Sequence, residues 1–181
     1  RLQGDWSSDV CSSDLVEQAE GPRALVTTAV AKFYSNGLDL DWLACHADQS
    51  ADYIASVQRL FARLLSLPVV TVAAVQGHAF AAGAMLTLAQ DFRVMRADRG
   101  FWCLPEVNIN IPFTPGMAAL IQAKLAPQSA HIAMITGARY GGNDAQTAGI
   151  VDQAVPEHDV LDTAVGLARA HVDKAGDTLA T

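Results

Sequence analysis

Ala74-Val75-Gln76-Gly77-His78-Ala79-Phe80-Ala81-Ala82-Gly83-Ala84-Met85, with Leu104-Pro105-Glu106 about twenty residues later, is the stretch that decides the fold. It continues a run, Val69-Val70-Thr71-Val72-Ala73-Ala74-Val75, that starts just after Pro68. That run is short, apolar and rich in β-branched residues, so it predicts a strand, and its lack of polar alternation predicts cover on both faces. Gly77, Ala81, Ala82 and Gly83 carry no bulky side chain and let a helix begin close to its neighbours. The first amides of a helix have no intrahelical acceptor and suit an oxyanion. The junction fits two roles: tight packing of helix on strand, or an anion site beside one carboxylate.

A chain of 181 residues buries a substantial core and is expected to form one domain. The net charge is −7 with 12 basic residues, and no Lys/Arg cluster accompanies an aromatic array, which argues against nucleic-acid binding. No run of apolar residues is long enough for a spanning helix, so membrane insertion is not expected. Cys11, Cys45 and Cys103 are odd in number and widely spaced, which predicts reduced thiols, an intracellular setting and no metal site.

Residues 1–15 differ in character from the rest of the chain. Ser7-Ser8-Asp9-Val10 and Ser12-Ser13-Asp14-Leu15 repeat a polar unit that resembles translated adapter or vector sequence, and this leader is expected to be non-native and disordered. It has neither the basic start nor the apolar middle of a signal peptide.

From Val16 onward the pattern alternates strands and helices. Ala24 to Val30 reads as a strand, Asn36-Gly37 as a turn, and Asp39 as a cap or a surface acid before a short helix at Asp41 to Ala47. Asp52 to Leu67 carries apolar residues at helical spacing and stops at Pro68. Asp91 to Met95 predicts a strand, and Met117 to Leu125 and Pro127 to Ile135 predict helices, the latter ended by Gly137. Asn143 is the expected cap of the next helix; Ile150 to Val155 reads as a strand, and Asp159 to Asp173 as a closing helix. The expected division is a core at 16–160 and the start of a C-terminal helical region at 161–181.

With these elements placed, the chain resembles the enoyl-CoA hydratase/isomerase, or crotonase, family. The likeness lies in Phe33-Tyr34-Ser35-Asn36-Gly37-Leu38-Asp39-Leu40, in Ala73 to Gly83, and in Gly137-Ala138-Arg139 continuing through Ala145 and Gly149-Ile150-Val151-Asp152 to Pro156. The resemblance implies an α/β fold, a spiral of repeated ββα units, here truncated at the N-terminus and at the C-terminus. It also implies acyl-CoA substrates, no prosthetic group beyond the coenzyme A carried by the substrate, and assembly as a homotrimer or dimer of trimers.

Carried over residue by residue, the resemblance assigns the two oxyanion-hole amides to Leu38 and Ala82. Of two glutamates used by the family's hydratases, one falls on Met85 and the other on Glu106. Hydration needs a positioned water, whereas moving a double bond needs one base that takes a proton and returns it, so the pattern looks like that of monofunctional enoyl-CoA isomerases. The implied reaction converts 3-enoyl-CoA to 2-trans-enoyl-CoA. Thioester hydrolysis, dehalogenation or decarboxylation by the same oxyanion hole, or a noncatalytic acyl-CoA-binding or assembly role, are the alternatives.

Around these residues the sequence offers weaker candidates, most with two readings. Ser35 is a candidate for substrate contact, and His78 suits either structure or substrate contact; Asn108 and Asn110 suit either a turn or orientation of the carboxylate or a water. Phe80, Met85, Trp102, Ile111 and Phe113 suit either core or acyl pocket. Lys32, Lys124 and Arg139 are candidates for the phosphates of CoA. Acyl chain length and the choice among cytoplasm, mitochondrion and peroxisome are open.

Overall fold

The computed structural model describes residues 12–179. In chain order the elements are α1 (Ser12–Gln18), β1 (Ala24–Thr27), β2 (Phe33–Ser35), α2 (Leu40–Cys45), α3 (Ser50–Leu65), β3 (Val70–Val75), β4 (His78–Phe80) and α4 (Ala82–Leu88). Next come β5 (Phe92–Arg96), β6 (Trp102–Cys103), a 3-10 turn at Glu106–Asn108, α5 (Pro115–Lys124), α6 (Pro127–Thr136), β7 (Arg139–Tyr140), α7 (Gly142–Thr147), β8 (Gln153–Val155) and α8 (Val160–Arg169).

The strands form two sheets in the orders β1-β3-β5-β8 and β2-β4-β6-β7. The first sheet is parallel throughout, and the second is parallel except for the antiparallel β6–β7 pair. Each early unit gives its first strand to one sheet and its second to the other before a helix returns the chain, so successive units step along both sheets together. This is the α/β spiral of ββα units.

All six residues of β3 are buried, as a central strand covered on both faces requires. Side chains alternate across the sheet. Val70, Val72 and Ala74 meet Val160, Ala164 and Ala168 of α8, while Ala73 and Val75 join the larger core of Met85, Leu88, Trp102 and Ile121. Because α8 packs on β3, residues 161–169 belong with the core, and the expected boundary at 160/161 cuts through one helix. That helix ends at Arg169 rather than Asp173.

Of the expected disordered leader, residues 1–11 lie outside the described residues. Residues 12–15 are helical, and Asp14 and Glu17 of α1 both pair with Arg63 of α3. Charge pairing gives that polar segment a place that its composition did not suggest. Asn143 lies inside α7, whose N-cap is Gly141. Asp39 does cap α2, with Oδ1 accepting from the Trp42 N–H at 3.1 Å.

One buried cation ties the end of the first sheet. Arg93 on β5 donates from Nε to the Ile150 carbonyl at 2.8 Å and from Nη1 to the Gln90 carbonyl at 3.1 Å, with Nη2 3.5 Å from Asp152. The Arg93 backbone N–H also donates to Asp152 Oδ2 at 2.7 Å. Burial lowers the guanidinium pKa despite its acidic neighbours.

Candidate functional site

Two close crossings bring the loops after β2 and β4 together. A Cβ on Gly77 would collide with the Lys32 carbonyl, and one on Gly83 with Ser35. Neither position accepts a side chain while the strands keep this approach. Gly37 has φ 85°, a left-handed conformation that suits glycine, and its N–H donates to Ser35 Oγ at 3.3 Å. A methyl on Gly37 would stand 3.0 Å from the Phe80 carbonyl oxygen and 3.2 Å from the Ala82 nitrogen. The loop carrying Leu38 therefore lies directly on the turn carrying Ala82.

That turn is held at both sides. The Ala81 N–H donates to the Cys103 carbonyl at 3.1 Å, and the Met85 N–H to the Ala81 carbonyl at 3.0 Å. Among the described residues neither the Leu38 nor the Ala82 amide has a protein acceptor.

Glu106 enters from β6 through Leu104-Pro105. Its carbonyl accepts from the amides of Ile109 at 3.2 Å and Ile111 at 3.0 Å, which curls the backbone and turns the side chain inward. The residue is only 5% exposed, and Oε2 is buried with no hydrogen-bond partner among the described residues. Burial pushes its pKa up from 4.5 to about 7, against a smaller opposing effect of its own backbone.

Leu38, Ala82, Met85 and Glu106 line one cavity of about 180 Å³ together with Phe80 and Phe113. Ile111 and Met117 complete much of its apolar wall. The volume suits the reacting end of a ligand rather than the whole of a large one. Glu106 is the single ionisable residue of this lining.

The enoyl-CoA hydratase/isomerase family model matches residues 13–181. The chain belongs to this family. It is 36% identical over 155 residues to enoyl-CoA delta isomerase 1, peroxisomal, of Arabidopsis thaliana, covering 84% of this chain and 65% of that protein. It is 35% identical to carnitinyl-CoA dehydratase of Salmonella arizonae over 84% of this chain and 58% of that protein. The apo structure of an enoyl-CoA isomerase of Mycobacterium tuberculosis superposes with a TM-score of 0.77 at 29% identity, covering 82% of this chain and 65% of that one. The chain thus spans somewhat less than two thirds of the length of these relatives.

Other candidates raised by the family motifs lie elsewhere. Ser35 is buried beneath the cavity, where it supports Gly37 and packs on Gly83. His78 Nδ1 accepts from the Phe101 N–H at 3.2 Å, and its ring stands among Phe33, Phe80 and Phe101. It is outside the cavity lining. Asn108 is exposed and packs against Gly137, while Asn110 adopts φ 55° in the turn, so neither holds the Glu106 carboxylate. Trp102 is fully buried and donates from Nε1 to Thr87 Oγ1 at 3.1 Å, which makes it core rather than pocket.

The basic candidates separate. Lys32 lies over the Phe33 ring at 5.3 Å and Arg139 over the Phe80 ring at 5.7 Å. Burial, and after it the charges of Lys32, Arg139 and Arg99, the last missed by sequence reasoning, hold the His78 pKa below its ordinary value. Lys124, in the last turn of α5, belongs neither to this group nor to the cavity lining. Met117 was also missed; the signal was its place two residues inside a helix opened by Pro115, and that helix packs against α4.

Proposed function

We propose that this chain isomerises 3-enoyl-CoA to 2-trans-enoyl-CoA through a single glutamate. The observation that carries the reading is the buried, unpartnered Oε2 of Glu106 in an apolar cavity also lined by Leu38 and Ala82. As a carboxylate, Glu106 takes a proton from C2 of the substrate. The electron pair moves into the dienolate, whose oxygen charge rests on the Leu38 and Ala82 amides. The Glu106 carboxyl then returns the proton to C4, the double bond lies between C2 and C3, and the carboxylate is restored.

A pKa near 7 suits both halves of that cycle, since the group must accept and release a proton at similar cost. Backbone donors that point at the developing charge stabilise the transition state without reorganising. Met85 lines the same cavity and offers nothing to activate water. Phe80, Phe113 and Met85 hold the acyl chain, and Lys32, Arg99 and Arg139 attract the phosphates of CoA. Assembly as a homotrimer and an intracellular setting belong to the same reading.

The similarity to carnitinyl-CoA dehydratase favours a second reading, in which the same oxyanion site serves a different acyl-CoA reaction. Product analysis separates the two. Incubation with 3-enoyl-CoA is expected to give 2-trans-enoyl-CoA much faster than 2-enoyl-CoA gives 3-hydroxyacyl-CoA. Rapid hydration would overturn the isomerase assignment, and acyl-CoA binding with neither reaction would point to a noncatalytic role.

A further inference from the structure

Ala81 is one of the non-glycine residues with positive φ, at φ 51° and ψ −125°. An L-residue with a Cβ is strained there and persists only where its surroundings impose the conformation. Three constraints do so. The Ala81 N–H is tied to Cys103 on β6, its carbonyl is tied to Met85 on α4, and its methyl faces the space that a side chain on Gly37 would fill, 3.1 Å from where a Cβ there would stand.

The two proposed oxyanion donors have the same local design. Leu38 comes directly after Gly37 at φ 85°, and Ala82 directly after Ala81 at φ 51°. The dihedral angles of the preceding residue set the direction of each succeeding amide, so these two turns aim the donors. They also pack against each other. Gly37 has no side chain to keep the loops apart, and the methyl of Ala81 occupies the gap.

We propose that Ala81 is a positioning residue whose methyl, wedged against Gly37, fixes the separation of the Leu38 and Ala82 amides. This inference rests on the oxyanion reading of those amides. A glycine at 81 satisfies the same backbone angles with less strain, but frees the loop at 36–38 to shift toward the turn. The strained alanine thus keeps a donor geometry that the more comfortable residue would loosen.

The test uses the full chain and hexanoyl-CoA, a thioester with no double bond to move. Isotope-edited difference infrared spectroscopy reads the stretching frequency of its bound carbonyl, which falls when two amides polarise it. The wild-type chain is expected to show that fall. In Ala81→Gly the fall is expected to shrink, with kcat on 3-enoyl-CoA down about tenfold, KM little changed and the melting temperature no lower, since a misplaced donor costs rate rather than stability. Ala81→Ser, which keeps a Cβ, is expected to restore most of the carbonyl shift, and it serves as the test should the glycine variant not fold.

No carbonyl shift in the wild-type chain overturns the oxyanion reading itself. A wild-type shift that persists undiminished in Ala81→Gly, with unchanged kcat, leaves that reading standing and overturns the role of Ala81. A rate loss in Ala81→Gly that tracks a fall in melting temperature reduces the methyl to ordinary packing and also overturns it.

Discussion

Met85 and Glu106 line the same cavity, the first 1% and the second 5% exposed. One supplies an apolar wall and the other an unpartnered carboxyl oxygen. A thioether neither holds nor activates a water, so in the proposed isomerisation proton transfer falls to Glu106 alone. Glu106→Gln is therefore expected to lower isomerisation by roughly 10²–10⁴ while acyl-CoA affinity is kept. Steady-state kinetics beside calorimetric titration with acyl-CoA check both halves; a retained kcat removes Glu106 from its role.

The acid limb of the pH profile derives from the same burial. In the proposed reaction C2 deprotonation needs the carboxylate, whose pKa burial pushes up to about 7. Log kcat/KM is expected to rise with unit slope below that pH and level above it. A profile already flat at pH 5 would show that the reacting group titrates near an ordinary glutamate value.

Stability runs the opposite way with pH. The folded pKa is raised from 4.5 to about 7, so across that window the fold keeps a proton that the unfolded chain releases. The stability present below pH 4.5 declines as pH rises through about 7 and then levels. Ionising so buried a group costs on the order of 1–3 kcal/mol. Glu106→Gln is expected to remove that decline, so urea denaturation at pH 5 and pH 8 should show a smaller difference in the variant than in the wild-type chain.

Gly83→Ala tests the close crossing under the site. The new methyl would meet the carbonyl, Cβ and Oγ of Ser35, all part of β2 rather than a flexible tip. Overpacking of this kind typically costs about 1–3 kcal/mol. Chemical denaturation is expected to show that loss, and the protein that remains folded should also turn over more slowly, because the loop carrying Leu38 continues directly from the displaced strand.

The strand–turn–helix at Val70 to Leu88 was legible because its signals are local: β-branched residues, Gly77, and small residues where backbones meet. Glu106 stood out through the family resemblance, which carries one of the hydratases' two glutamates onto it and the other onto Met85. The two readings of each weaker candidate could not be separated without the third dimension. Trp102 is aromatic whether it faces a cavity or, as here, Thr87 in the core. Asn108 lies two residues beyond Glu106, yet the 3-10 turn sends its side chain toward Gly137. Arg99, in the turn between β5 and β6, joins Lys32 and Arg139 only because the fold brings all three charges within reach of His78. Asp14 found Arg63 across 49 residues, a pairing that composition does not encode.

The clasp on Arg93 has a consequence for the order in which this chain is made. Its carbonyl partner Ile150 lies 57 residues downstream, and the carboxylate of Asp152 lies 59 downstream. During synthesis β5 thus emerges well before the groups that take its guanidinium out of water. Until they arrive the cation stays hydrated and the β5 edge stays open to pairing with any extended segment. The arrival of residues 150–155 covers both at once, making β8 the seal of the first sheet rather than an appendage to it. In nascent chains arrested at increasing length, protease resistance of β5 is expected to rise in one step as this segment clears the ribosome; a gradual rise beginning much earlier would deny β8 that role.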